Sequence, residues 1–397
     1  MTELLQYKFP KGFLWGSATS AHQVEGNNTL NDWYRWEEAG KIKNGERSGL
    51  ACDHYNHFRE DIDLLVSLSQ NAYRFSIEWS RIEPRPGEIN RAELEHYRKV
   101  LEYLRARGVK SFVTLHHFTS PLWFDWEGAM SVEYFARFSE LIAKELGHLV
   151  DFWCTVNEPN ILAKHGYLEG DFPPGRRDVG SFFRVLNNLI HGHNASYNAI
   201  HSVLPHALVG MAKDNTYYIE APGRLDRLVT LLNHEIRNRY FLDRTKFDFI
   251  GLNYYGSKKL RFDCASPQSF YASKVKLGLP TTDMGWEIVP WGLSHVISDL
   301  CGFGKPIYIT ENGIADAGDS KRKEFIKQHL KVIHQAISVG TDIRGYFYWS
   351  LLDNFEWGFG FGPRFGLVAV DYSTGERRVR DSAGWYAEVC RNNFFEK

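Results

Sequence analysis

The stretch F-W-C-T-V-N-E-P at Phe152–Pro159 reads as an apolar strand that stops in an amide and a carboxyl group just before a proline. Aromatic and β-branched residues favour a pleated strand, and Pro159 cannot donate to a ladder, so the strand must end there. The residue before a proline is pushed toward extended backbone, which is the geometry expected of Glu158. A second stretch, P-I-Y-I-T-E-N-G at Pro306–Gly313, repeats the design: a short apolar strand runs into Glu311, and Asn312–Gly313 has the composition of a turn.

Working outward, short apolar runs recur with amphipathic segments between them. Eight candidate strands stand out: Phe13–Ala18, Ala72–Ile77, Ser111–Leu115, Phe152–Val156, Leu208–Lys213, Phe249–Asn253, Pro306–Thr310 and Ile343–Trp349. Helical periodicity lies between them, at Phe58–Ser69, Arg91–Arg107, Val132–Leu146, Phe182–Val203 and Lys321–Val339, with a weaker pattern around Leu225–Asn238. Strands alternating with helices predict a parallel sheet, and eight such units predict a closed (β/α)8 TIM barrel. No linker, composition shift or fixed-period repeat divides the 397 residues, so the whole chain is expected to be one barrel domain.

In such a barrel the carboxyl ends of all strands share one rim, where active sites are built. His117, Asn157, Glu158, Asn253, Glu311 and Trp349 all fall at or just after the candidate strands. Either glutamate alone would also pass for a solvated loop acid. Two of them on different strands, facing across one rim, form the carboxyl pair that glycoside hydrolysis requires. Arg74, inside the otherwise apolar R-F-S-I-E-W-S-R-I at Arg74–Ile82, needs a carboxylate partner if it is buried, and Glu311 is the expected one. In Y-W-S-L-L-D-N-F-E-W-G-F at Tyr348–Phe359, Trp349 and Trp357 offer aromatic platforms and Glu356 a carboxylate able to accept paired hydroxyl bonds.

Composition narrows the partners. With 47 basic and 48 acidic residues the chain carries no field that would gather nucleic acid or an anionic membrane, and a neutral small molecule fits better. The opening M-T-E-L-L-Q-Y-K-F-P lacks the pattern of a leader, and no long apolar run predicts a membrane span, so a cytoplasmic protein is expected. Cys52, Cys154, Cys264, Cys301 and Cys390 are scattered without pairing motifs and are expected to be reduced core thiols. His116 and His117 invite a metal reading, but neighbours on a strand point to opposite faces and no companion ligands appear, so no metal is expected. The absence of a Walker or GxGxxG loop likewise leaves no cofactor expected.

With these segments in place, the chain closely resembles glycoside hydrolase family 1, the β-glucosidase and β-galactosidase family, nearly end to end. F-L-W-G-S-A-T-S-A-H-Q-V-E-G at Phe13–Gly26 is similar to the family's opening strand and loop, T-V-N-E-P to its acid/base signature and I-T-E-N-G to its nucleophile signature. The resemblance implies a retaining β-glycosidase with Glu158 as acid/base, Glu311 as nucleophile, and β-glucosides or oligosaccharides as substrates. It further implies that Gln23, His117, Asn157, Glu356 and Trp357 bind the non-reducing sugar over Trp349. Asn253 and Tyr255, in G-L-N-Y-Y-G, match residues near the nucleophile, with Tyr255 donating to Glu311 beside Arg74. Trp286, in M-G-W-E-I-V-P, would flank the leaving group. Phe118 stands where many members have Trp, and the chain is short between Gly256 and Met284, where relatives carry a loop over the entrance. Members that take phosphorylated sugars lack the acid kept here as Glu356, which disfavours such substrates. The same residues would serve a transglycosidase, and a barrel that binds sugar without turnover is the alternative from another class.

Overall fold

The structure is a computed structural model and describes residues 6–396. A closed eight-stranded parallel barrel forms its centre. Its strands are β1 (Leu14–Ala18), β2 (Ala72–Ser76), β3 (Lys110–His116), β4 (Phe152–Asn157), β5 (Leu208–Asp214), β6 (Phe249–Asn253), β7 (Ile307–Asn312) and β8 (Ile343–Trp349). They pair in chain order, and β8 returns to β1, where Tyr348 lies opposite Ser17 and Trp349 opposite Ala18. The eight expected strands are the barrel strands, displaced at their ends by at most a few residues.

Eight principal helices wrap the sheet: α1 (His54–Ser67), α2 (Arg91–Ala106), α3 (Ser131–Leu146), α4 (Val179–Val203), α5 (Arg224–His234), α6 (Pro290–Cys301), α7 (Arg322–Ser338) and α8 (Asp381–Asn392). Their sequences explain their limits and faces. Asn90 accepts from the N–H groups of Ala92 and Glu93 and so starts α2, whose Leu94, Tyr97, Leu101 and Leu104 recur at steps of three and four and lie buried against the sheet. Each leucine so buried contributes about 1.5–3 kcal/mol. The Asp178 carboxylate caps α4 by accepting from Ser181 N–H at 2.6 Å. The weakest helical pattern in the sequence is α5, which continues into a π-helical turn at Glu235–Arg239.

The floor of the barrel is aromatic. Phe112 packs at its centre, with ring centroids 4.5 Å from Phe152, 5.1 Å from Phe347, 5.3 Å from Phe249 and 5.4 Å from Tyr308. This layer leaves the opposite, carboxyl end of the strands as the open one. Above that end lies a small three-stranded sheet, Ala272–Val275, Ser257–Phe262 and Tyr217–Glu220, that the sequence pattern did not reveal.

Three expectations are corrected. Glu158 is not extended but left-handed, at φ 42° and ψ 58°. Its N–H donates to Ala212 O on β5 at 2.7 Å, and its carbonyl accepts from Ile161 and Leu162 at the start of the helix Pro159–Ala163. Those bonds outweigh a local preference that costs on the order of 1–3 kcal/mol. Asn312–Gly313 is not a turn, because β7 runs through Asn312, whose amide donates to Tyr254 O and accepts from the Tyr346 hydroxyl. Gly313 is required by close approach: a Cβ there would sit 1.8 Å from Trp349 O. Finally, all five cysteines are free, but Cys264 and Cys301 are exposed rather than in the core. No helix among the described residues is long and apolar enough to cross a membrane. Of the opening segment, Met1–Leu5 lie outside the described residues.

Candidate active site

Glu158 and Glu311 stand at the carboxyl ends of β4 and β7, both nearly buried at 8% and 3% exposure. One hydrogen-bonded network joins them. Arg74, fully buried on β2, donates through Nη1 to Glu311 Oε1 and through Nη2 to Asn157 Oδ1 at 2.7 Å. Asn253 at the end of β6 donates through Nδ2 to Asn157 Oδ1 at 3.2 Å and to Glu158 Oε1 at 2.8 Å. Asn157 in turn donates to His117 Nε2 at 3.1 Å, which places the proton of that ring on Nδ1. Tyr255 donates to the second oxygen of Glu311 at 2.7 Å.

The two carboxyl groups therefore have different company. Burial pushes the Glu158 carboxyl well above the usual range, and the charges of Glu311 and Asp214 push it further, with the Asn253 amide and Arg74 pulling back. Burial also raises Glu311, but Arg74, Tyr255 and Asn253 all act against that rise. A proton shared by the pair thus resides on Glu158, and the negative charge on Glu311. Burial and the Glu311 charge keep Tyr255 a neutral phenol, and burial with the Arg74 charge keeps His117 a neutral imidazole.

Across the opening lies a second group. Gln23 donates to Glu356 Oε2 at 3.2 Å and to Asn354 Oδ1 and Phe355 O, while its own oxygen accepts from Ser20. Burial and the Glu311 charge raise Glu356 to about 8, against the pull of Gln23 and the Trp349 indole. His117 lies parallel to Trp349 at 5.7 Å and to Trp357 at 6.1 Å, so these rings form one aromatic wall. Phe118 meets Trp357 edge-on at 5.3 Å. Trp286 stands at the margin, 38% exposed, its ring 5.9 Å from Tyr255.

The adjacent histidines do separate as strand alternation demands. His116 turns away from the opening, accepting from Trp126 Nε1 at 3.2 Å and packing edge-on against that indole at 5.3 Å, while His117 meets Asn157. The residues singled out in the sequence are thus brought to one rim. Sequence reasoning missed the groups that hold them: Thr114 accepts from Arg74 Nε at 3.2 Å, Thr310 donates to Asn253 Oδ1 at 2.7 Å, and Trp33 and His22 pack against Trp357 at 4.6 and 5.9 Å. Thr310 carried a signal, since it precedes Glu311 on the same strand. His22 sat unremarked beside Gln23 in the stretch Phe13–Gly26, and Trp33 carried no signal.

Paired carboxyls with opposed environments, one cation and an aromatic wall at the carboxyl rim of a barrel belong to an enzyme acting on O-glycosyl bonds. The family model described as glycosyl hydrolase family 1 matches residues 5–246 and 230–395, and the chain belongs to that family. A β-glycosidase from Pyrococcus horikoshii superposes with a TM-score of 0.94 at 40% identity, covering 99% of this chain and 97% of that one. Beta-glucosidase A of Thermotoga maritima is 35% identical over 444 residues, covering 98% of this chain and 99% of the relative. A β-galactosidase from Sulfolobus acidocaldarius is 31% identical, covering 97% of this chain and 95% of its own.

Proposed function

We propose that this chain, working as one barrel domain, is a retaining β-glycosidase that removes non-reducing terminal β-glucosyl residues, with galactosyl and fucosyl groups as side substrates. The observation that carries the reading is the asymmetry of the pair: Glu311 has a guanidinium and a phenol on its two oxygens, while Glu158 has a single amide. Glu311 is the nucleophile and Glu158 the acid/base. In the first step Glu311 attacks the anomeric carbon while Glu158 passes its proton to the leaving oxygen, giving a covalent glycosyl-enzyme and a free alcohol. In the second, the Glu158 carboxylate takes a proton from water, the hydroxide oxygen displaces Glu311, and the original anomer is released.

The remaining residues divide the sugar between them. Asn157 has one amide hydrogen uncommitted after its bond to His117, suited to the hydroxyl next to the anomeric carbon. Gln23, Glu356 and Trp357 hold the far edge of the ring above Trp349, Asn253 keeps Glu158 oriented, and Trp286 flanks the leaving group. A phosphorylated sugar is disfavoured, because family members that take one lack the acid kept here as Glu356. Relatives named β-glucosidase and β-galactosidase support the glucosyl and galactosyl parts of this range. Proton NMR of the first-formed sugar tests the reading: a β-glucoside should release the β anomer first, and initial α anomer would overturn both the mechanism and the pairing of roles.

A further inference from the structure

On and around the small three-stranded sheet, where the Glu158 charge is felt, four cations come together. Lys164 opens the π-helical turn Lys164–Glu169 that continues the helix capped by Glu158 itself. Lys258 lies five residues beyond Asn253 on the strand Ser257–Phe262. Lys274, on the neighbouring strand, faces Leu260, so alternation puts Lys258 and Lys274 on one face of the small sheet as diagonal neighbours. Arg237, on the turn after α5, lies over Phe270 at 5.6 Å. The charges acting on Lys258 are those of Asp214, Arg237, Glu169 and Glu158, and those acting on Lys274 are Lys258, Glu169 and Arg237. The four therefore share one electrostatic neighbourhood, and the Glu158 charge acts on it through Lys258.

Most of the cluster's cations lack an ion pair. Lys164 Nζ is 2.6 Å from Glu169, but Arg237, Lys258 and Lys274 have no ion pair among the described residues. Arg237 Nε is buried with no hydrogen-bond partner. The Lys213 ammonium nearby is already engaged, donating to Asp214 O, Asn215 Oδ1 and Arg237 O. Burial and mutual repulsion depress the lysines, Lys164 to about 7. Gathering like charges in a half-buried site costs stability unless a ligand relieves it, and perturbed groups of this kind mark binding sites.

We propose that this cluster is a leaving-group subsite for an anion, and that the enzyme favours β-glycosides whose aglycone carries a carboxylate or sulfate. The proposal rests on the reading of Glu158 as proton donor, because that role fixes the leaving oxygen, and hence the aglycone, beside Glu158.

The test compares para-carboxyphenyl β-glucoside with its neutral para-carbamoyl counterpart. The kcat/KM ratio of the two should favour the acid by about tenfold or more, as expected for charge-assisted bonds. The ratio should fall with added salt and collapse in Lys258→Met/Lys274→Met, with exposed Lys274→Gln alone giving a partial fall if the double variant folds poorly. Because the ratio compares two substrates on one enzyme, general loss of activity cancels. Calorimetry with free para-hydroxybenzoate and para-hydroxybenzamide supplies a readout without turnover: the acid should bind and the amide should not. Equal ratios in the unaltered enzyme, or a preference that survives the double variant, would overturn the subsite. Failure to split either glucoside would instead count against the glycosidase reading, while the binding measurement would still decide the cluster.

Discussion

Thr310 Oγ1 donates to Asn253 Oδ1 at 2.7 Å, and this bond decides which end of the Asn253 amide faces Glu158. With its oxygen engaged, Asn253 can only present Nδ2 to Glu158 Oε1 and Asn157 Oδ1. The residue next to Glu311 on β7 thus fixes which face of the Asn253 amide on neighbouring β6 meets Glu158.

Thr310→Val keeps the shape of β7 but frees that amide to turn over. The expected cost is about 1 kcal/mol, a several-fold loss in kcat/KM with the fold intact. Steady-state kinetics beside a thermal melt checks it, and an unchanged kcat/KM would remove Thr310 from the network.

Arg74→Met leaves Glu311 buried without its cation. Removing one partner of a buried ion pair costs about 3–5 kcal/mol. Arg74 is among the groups that hold Glu311 down, so its loss lets burial raise Glu311 further and moves the acidic limb of the kcat/KM profile to higher pH. A variant whose acidic limb stays in place would show that Glu311 does not set that limb.

Glu158→Ala should still form the glycosyl-enzyme from glycosides with good leaving groups, since these need no proton. Azide, small enough for the vacated space, should restore release as the β-glycosyl azide. In Glu311→Ala any azide product should be the α anomer. The reverse pattern would exchange the two roles.

Glu356 has a folded-state value near 8 against an ordinary 4.5, so the folded chain holds a proton that the unfolded chain has lost. Its contribution to stability is therefore full below about pH 4.5 and falls away as the pH rises through about 8. Glu356→Gln should flatten the dependence of Tm on pH across that window, and weaken glucoside turnover by about 2–4 kcal/mol of transition-state binding. A melt series that retains the wild-type slope would place Glu356 in a wetter setting than burial implies.

How much of this was legible in the sequence depended on the range of the physics involved. Strands, helices and the strand-end positions of Glu158 and Glu311 follow from period and punctuation, which are local. Arg74 was readable because a cation in an apolar strand has few affordable states. The left-handed backbone of Glu158 was not readable, because its cause is a carbonyl on Ala212, a residue of a different strand. Gly313 was misread for the same reason: its constraint is the carbonyl of Trp349, and the pair Asn-Gly signals a turn only when nothing distant intervenes. The exposure of Cys264 and Cys301 reflects where their segments fall on the surface, which no composition rule supplies.

Arg74 sits on the second barrel strand and Glu311 on the seventh, and neither can meet the other until the sheet has closed on itself. A one-residue slip in either strand would turn its side chain to the opposite face. Regain of turnover during refolding is therefore a clock for ring closure: helical signal can return while the barrel is still an open sheet, but the first product molecule appears only after its two edges have found their register.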